Sequence, residues 1–332
     1  LSNFSSKIAL FCNDSSEYNS LFEHCRESLD DIHGRCIVEI EKTHLECQSY
    51  LAFYGEKEID RVNEIACFIE KVNTTYKDVK ANKIPVIPEI LNSGIMKAQF
   101  NVETNEEEFV LGLNYATVLP IVLDYQKQGY LALAGSNTED KLNYIEYIKN
   151  AISNTNSTVY VLDDYEGSFE DISQNDSVSL YSKSLDDTAE ILEAIKQQMV
   201  KRYAERDIKG TEYVKTLEPV VFIISHEDAI DHISSNNSLL DVYKELNKKY
   251  KGLKLFTIFT KVENQTISYG SPEVLRMMKD NYQLLMFESI SDIKLFDVPS
   301  NLIRKYKNSL DSGDAFFLSN NELKRIKTVS VQ

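Results

Sequence analysis

Tryptophan is absent from the 332 residues, and glycine (11), proline (6) and cysteine (5) are all sparse. Long apolar runs are missing too. The longest, such as Val220 to Ile224, reach about five residues, whereas a membrane helix needs roughly 20, so the sequence holds no transmembrane candidate. Basic charge is in short supply: 36 Lys and Arg stand against 52 Asp and Glu, a formal net charge of -16. An acidic run at Glu103 to Glu108 ("ETNEEE") adds to the imbalance. Nucleic-acid binding rests on neutralising phosphates, so no nucleic-acid partner is expected. Every cysteine (Cys12, Cys25, Cys36, Cys47, Cys67) lies in the first 67 residues. An odd count without a dense framework fits a reducing compartment. His33 with Cys36 and His44 with Cys47 repeat an H-x-x-C spacing, but neither pair has a C-x-x-C knuckle and both read as a β-hairpin, so no metal is expected. The start, "LSNFSSKIAL", has neither methionine nor a basic leader and reads as cut from a longer protein.

Along the chain, "EIDRVNEIACFIEKV" sets Ile59, Val62, Ile65, Ile69 and Val72 on one face at helical spacing, an amphipathic helix. "ANKIPVIPEI" then carries Pro85 and Pro88, which fix φ and oppose helix, so an extended linker is expected over 79–92. Beyond it, short apolar runs ("VLPIVLD", "YLALAG", "STVYVLD", "PVVFIIS", "LKLFTIFT", "QLLMF", "AFFLS") alternate with helical patterns. That order predicts an α/β domain over 93–332, a mainly parallel sheet with helices on both faces. An internal repeat is also present. "NFSSKIALF" from Asn3 resembles "NYQLLMFES" from Asn281, and Gly34 with "CIVEI" parallels Gly313 with "AFFLS" at nearly the same offset. Residues 1–78 therefore read as the tail of a preceding domain of the same kind.

The informative loop follows the second strand of the complete copy, in "YLALAGSNTEDKLNYIEYIKNAI". A phosphate loop would read G-x-x-x-x-G-K-[ST] between strand and helix. Its N–H groups cradle phosphates, its lysine neutralises them and its hydroxyl holds magnesium. Gly135 and Lys141 are in that register, with Ser136 and Asn137 in the loop between them. Asp140 replaces the second glycine, and Leu142 replaces the hydroxyl residue. A carboxylate at Asp140, joined by Glu139, would repel an incoming phosphate by roughly 4 kcal/mol per pair at an effective dielectric of 20. Both acids also suit a helix N-terminus, so the loop reads as filled by its own anions.

Other segments resemble FtsK/SpoIIIE-type ATPases. "ILEAIKQQMVKRYAERD" resembles their E-M-x-R-R-Y helix through Met199, Arg202 and Tyr203. "EPVVFIIS" resembles their P-x-V-V-V-I-D-E strand, "LKLFTIFTKV" the strand ending T-Q, and "SLDSGDAFFLS" the late L-x-x-G-D turn. "DIHGRCIVEI" and "LECQSYLAF" resemble the strands that close a preceding domain. Tandem domains joined by an "IPxxPE" linker look like the Firmicute-type type VII secretion ATPases. The resemblance implies a RecA-like P-loop NTPase fold, with the end of one ATPase domain followed by the C-terminal one. It also implies a cytoplasmic segment of a motor anchored in the membrane only through an upstream part. Its expected partners are exported proteins and other domains and copies of the motor.

The departures are chemical. Ser225 and His226 stand where the family has an Asp–Glu pair, and Lys261 follows Thr260 in place of glutamine. Magnesium would lack its loop hydroxyl and its acidic partner, and the attacking water its base. No catalytic residue is therefore expected, ATP and magnesium are expected to bind weakly if at all, and Glu227 and Asp228 are read as capping the next helix; the alternative is a functional ATPase module with a noncanonical phosphate loop driving translocation, in which Glu227 and Asp228 substitute for the missing acids. For recognition of an exported helical signal, Leu275, Met277, Met278 and Tyr282 form a candidate pocket, with Leu295 and Phe296 as its opposite wall.

Overall fold

A computed structural model describes residues 6–40, 43–50, 52–77, 79, 85–306 and 310–331. The chain divides into two units, Leu1–Ile84 and Pro85–Gln332.

In the first unit, β1 (Ile8–Leu10), β2 (Arg35–Ile40) and β3 (Thr43–Gln48) form an antiparallel sheet in the order β1-β2-β3. One face carries Ala9 and Ile37, which pack on Tyr18 of α1 (Ser15–Leu21) and on Phe22 just beyond its end. The helix α2 (Glu58–Thr75) forms where its periodicity predicts, yet none of its residues is buried among the described ones. Ile59, Val62, Ile65 and Ile69 stay exposed.

The second unit opens with α3 (Ser93–Phe100) and is built on ten strands. They are β4 (Glu108–Asn114), β5 (Pro120–Asp124), β6 (Tyr130–Ala134), β7 (Thr158–Leu162), β8 (Val178–Ser182), β9 (Val220–Ile224), β10 (Leu255–Val262), β11 (Gln283–Met286), β12 (Asp314–Ser319) and β13 (Glu322–Thr328). The sheet order is β5-β4-β13-β12-β11-β6-β10-β9-β7-β8. From β11 to β8 every neighbouring pair is parallel, and the rest of the sheet is antiparallel.

The seven apolar runs read from the sequence all become strands, and the alternation of their side chains explains the layers. On β9, Val220, Phe222 and Ile224 face one core while Val221 and Ile223 face the other. The first core is closed by α5 (Thr188–Lys209), α6 (Ala229–Ser235), α7 (Asn237–Lys249) and α8 (Glu273–Lys279). A last short helix, α9 (Ser300–Lys305), adds Leu302 to its margin. The second core is closed by α4 (Glu139–Ser153), through Tyr144, Tyr147, Ile148 and Ile152, and by Met96 of α3.

Three strands, β4, β8 and β13, are additions to the predicted set. Residues 80–84 of the predicted linker lie outside the described residues; 85–92 carries no helix, and its end is tied to the chain's last residues, where Leu91 is buried, its carbonyl accepts from Ser330 N–H at 2.7 Å, and Asn92 bridges to Ser330. The weak repeat has a counterpart in topology. β11-β12-β13 repeats the antiparallel order β1-β2-β3, with a glycine at φ 80° (Gly34) and 76° (Gly313) just before each middle strand.

Candidate functional site

Open α/β sheets bind ligands beyond the carboxyl ends of their parallel strands. In this chain those ends belong to β6, β10, β9, β7 and β11, and they bring the loop after Ala134 together with Lys261, Ser225, Asp164 and Glu288.

Thr138 caps α4, its hydroxyl accepting from Lys141 N–H at 3.2 Å. One helix-terminal donor that a phosphate would use is thereby satisfied from within the chain. Gly135 adopts φ +91°, a conformation that favours glycine, and a Cβ there would come within 2.6 Å of Glu288 Cδ. The missing side chain thus lets Glu288 approach the loop. Its Oε1 accepts from Ser136 N–H at 2.8 Å and from Ser136 Oγ at 3.0 Å, while Oε2 accepts from Asn264 Nδ2. Asn137 and Glu139 are exposed, and Leu142, 49% exposed, points no oxygen at the loop.

The anion on the loop is therefore a correction. Asp140 turns away, accepting from Gly313 N–H at 2.8 Å and from Ser312 Oγ at 3.2 Å, so it ties α4 to the turn before β12. The physical reason is supply: Gly313 offers Asp140 a backbone donor, whereas Ser136 N–H and Oγ are taken by Glu288 and Lys141 N–H by Thr138. Lys141 is 1% exposed, and its Nζ donates back to Gly135 O at 2.7 Å. Burial pushes its ammonium down to about 8, against the pull of Glu288 and with the repulsion of Lys261.

The neighbouring strand ends form a second closed network. Ser225 Oγ donates to Asp164 Oδ2 at 3.1 Å and accepts from Thr260 Oγ1 at 2.9 Å. Lys261 Nζ lies 2.9 Å from Asp164 Oδ2 and also pairs with Glu227. Burial alone would raise the Asp164 carboxyl, but the Ser168 hydroxyl and Lys261 hold it well below the ordinary carboxylate range. Beside it, Asp163 is raised by burial, although it accepts from Phe169 N–H, Tyr181 Oη and Asp164 N–H. Glu227 thus serves the ion pair rather than a helix cap, and Asp228, at the N-cap of α6, makes no side-chain cap bond. His226 is 2% exposed beneath Tyr165, with ring centroids 4.5 Å apart. Its Nδ1 accepts from Asp228 N–H, and its Nε2 has no partner among the described residues.

Sequence reasoning missed Glu288, Asn264, Asp163 and Asp164. The last two had a signal, the pair of acids ending the apolar run "TVYVLDD" at a parallel strand's carboxyl end. Glu288 had none, because its role depends on β11 lying beside β6.

The predicted recognition pocket is corrected as well. Leu275, Met278, Tyr282 and Leu295 are 2–5% exposed and belong to the core. Tyr282 spends its hydroxyl on Leu295 O at 2.9 Å and packs edge-on against Phe296. Apolar spacing on a helix marks its buried face, and these residues obey that rule. Met277 and Phe296 are only partly buried. Met277 instead lines a different cavity of about 290 Å³ at the amino ends of β6 and β10, with Tyr130, Tyr243, Leu255 and Lys251. The H-x-x-C idea fails on strand geometry: an odd offset sends His44 and Cys47 to opposite faces, and His44 stacks on Phe22 at 5.2 Å.

No family model matches the chain. Over an alignment of 340 positions, covering 100% of this chain and 22% of the relative, it is 21% identical to the ESX secretion system protein EccC of Geobacillus thermodenitrificans (strain NG80-2). It is also 25% identical over 147 residues to the ESX secretion system protein YukB of Bacillus subtilis (strain 168), covering 44% of this chain and 10% of that protein. Thus the chain spans less than a quarter of either curated relative. Among solved structures, EssC (ATPases 2 and 3) from Geobacillus thermodenitrificans matches with TM-score 0.59 at 20% identity, covering 98% of this chain and 61% of that one. Thermomonospora curvata EccC (ATPases 2 and 3), solved in complex with a signal sequence peptide, matches with TM-score 0.54 at 14% identity, covering 92% and 54%. The fold is that of these ATPases, an α/β RecA-like domain.

Proposed function

Taking the chain as the EssC-like type VII secretion ATPase region that it resembles from end to end, we propose that its second unit is a C-terminal ATPase-fold module that no longer turns over ATP and instead couples exported substrates to the motor. Residues 1–78 are, on this reading, the end of a preceding domain of the same kind, whose repeated antiparallel β-topology supports it. The module works as the cytoplasmic part of a secretion protein.

One observation carries the proposal. The Glu288 carboxylate holds Ser136 N–H and Oγ, the donors on which a phosphate would sit. The residues do not fit magnesium and nucleotide. Leu142 offers no oxygen, Ser225 is committed to Asp164, Asp164 is committed to Lys261, and Lys141 is turned back on Gly135 O. A nucleotide would have to displace an anion and break these bonds, and its phosphates would meet Glu263, Glu288 and Asp292 lining the open cleft. The chain's own groups therefore do what a bound ligand does elsewhere: they satisfy the loop and brace the strand ends.

Recognition is assigned to the cavity containing Met277, whose flexible thioether and aromatic neighbours suit an apolar anchor. Lys248 and Lys251 on its rim suit acidic flanks on that peptide. The relative solved with a signal sequence peptide supports the class of partner. Titration of fluorescent C-terminal peptides from exported substrates against the whole chain and its Met277→Asp variant tests this. We expect saturable binding that weakens about tenfold or more in the folded variant, since truncating or charging a central anchor costs 1 to 3 kcal/mol. Unchanged affinity would reject this cavity, and no binding of any such peptide would reject the recognition role.

A further inference from the structure

The five cysteines play no part in the proposed function, yet the first unit brings two of them together. Cys36 and Cys47 are direct partners across β2 and β3. Eleven residues apart in sequence, they face the same side of the sheet, because directly opposed strand residues share a face. That side also carries Leu10, opposite Cys36, and Val38 with Leu45. The other side packs on α1 through Ile37.

The distance follows from the ladder. Ser49 N–H donates to Gly34 O at 2.8 Å, and antiparallel pairs alternate in type, so Cys36 and Cys47, two steps further on, form a hydrogen-bonded pair. Such pairs have Cα atoms about 5.5 Å apart, inside the 4.4 to 6.8 Å range that a disulfide spans, but their Cβ atoms, also about 5.5 Å apart, must close to about 4.5 Å or less, so the bond is strained and correspondingly easy to reduce. Both thiols are free. Their environments differ: Cys36 is 5% exposed, while Cys47 is half-buried and reachable.

We propose that Cys36 and Cys47 are a reversible redox pair, a modification site at which peroxide closes a cross-strand disulfide. Cys47 is the attacking thiol and Cys36 the resolving one. The Cys47 thiolate attacks hydrogen peroxide and the O–O bond breaks, giving a Cys47 sulfenic acid and one water once the hydroxide is protonated. Cys36 Sγ then attacks Cys47 Sγ, the S–O bond breaks, and the hydroxide leaves with the Cys36 proton as a second water. The sulfur pair loses two electrons, which reduce the peroxide. A thiol such as glutathione reverses the step by exchange. Its structural effect is to lock β3, an edge strand, to β2, the middle strand of the sheet.

Cys67 on α2 is exposed and has no cysteine across from it, so it supplies an internal control for simple accessibility. The test treats the whole chain with hydrogen peroxide in small excess, blocks remaining thiols under denaturing conditions, and digests with trypsin. Cleavage after Arg35, Lys42 and Lys57 separates the two cysteines into peptides 36–42 and 43–57. The expected result is one cross-linked species of these two peptides, lighter by two hydrogens than their sum and split by dithiothreitol, while Cys67 remains largely alkylated. In Cys36→Ser, Cys47 should be trapped instead as the sulfenic acid by dimedone. Alkylation of both cysteines at doses that already oxidise Cys67 would overturn the proposal. So would pairing of Cys47 with Cys12, Cys67 or a second molecule.

Discussion

Replacing Glu288 by glutamine removes a negative charge from beside the loop after β6 and leaves an amide oxygen that can still accept from Ser136. The carboxylate now holds Ser136 N–H at 2.8 Å and Ser136 Oγ at 3.0 Å. A phosphate seated on those donors would put its oxygens about 4 Å from the displaced carboxylate, a repulsion of roughly 4 kcal/mol per charge pair at an effective dielectric of 20. The site is open to solvent, so half of that or less survives screening, about 1.4 to 2 kcal/mol. The expected gain is therefore about 10- to 30-fold in affinity for ADP, measured by calorimetry without magnesium so that the loop alone is tested. Glu288→Ala, which also frees both donors, should gain at least as much. Gly135 is untouched, so the loop can keep its backbone, and circular dichroism checks the fold. If both variants are folded and bind ADP no better than the wild type, Glu288 is not what bars the phosphate and the reasoning fails.

Lys141 gives a prediction in pH. Its folded-state pKa is lowered from 10.5 to about 8, so between those values the unfolded chain binds more protons and stability rises with pH. Denaturant unfolding at pH 7.5 and 10 should therefore move the difference between wild type and Lys141→Met toward the wild type by about 2 to 3 kcal/mol, and a constant difference would contradict the buried charge. Lys261→Met strands a fully buried Asp164 and should cost about 3 to 5 kcal/mol in unfolding free energy, with much of it recovered by adding Asp164→Asn. Because the Asp164 carboxyl is depressed, its pairing should stabilise the wild type above about pH 4 and fade below it, which thermal unfolding across that range would follow. With a net charge of -16 the chain should not shift duplex DNA at physiological salt, and a specific micromolar shift would refute this.

The parallel strands other than β8 were legible because their signal is local: an apolar run between helical patterns reads as a buried strand wherever its neighbours lie, whereas β8, at the sheet edge with no fully buried residue, has no such run. β4 was masked by the acidic run before it, and β13 by its Lys and Arg. Those charges are accommodated only in the fold, where Arg325 pairs with Asp311 and Asp314, and Lys327 donates to Ser312 O at 2.6 Å. The loop was legible as a register of Gly135 and Lys141, and its departures from the phosphate-loop pattern at Asp140 and Leu142 were plain. What its donors meet in the fold was not. Glu288 and Asp140 are 148 positions apart, and which of them reaches Ser136 depends on β11 lying against β6 and on the donor at Gly313. The recognition residues failed for a related reason. Helical spacing cannot tell a face that meets a partner from one that meets the sheet, and for Leu275 and Met278 the sheet side won.

The central claim is that the chain's own side chains occupy the nucleotide crevice and leave it without turnover. The most direct measurement is steady-state phosphate release from magnesium-ATP by the whole chain, beside Lys141→Ala checked for its fold. The account predicts that both proteins release phosphate at the same background rate, with no saturation in ATP. A saturable, magnesium-dependent rate in the wild type that disappears in the folded Lys141→Ala variant would contradict it.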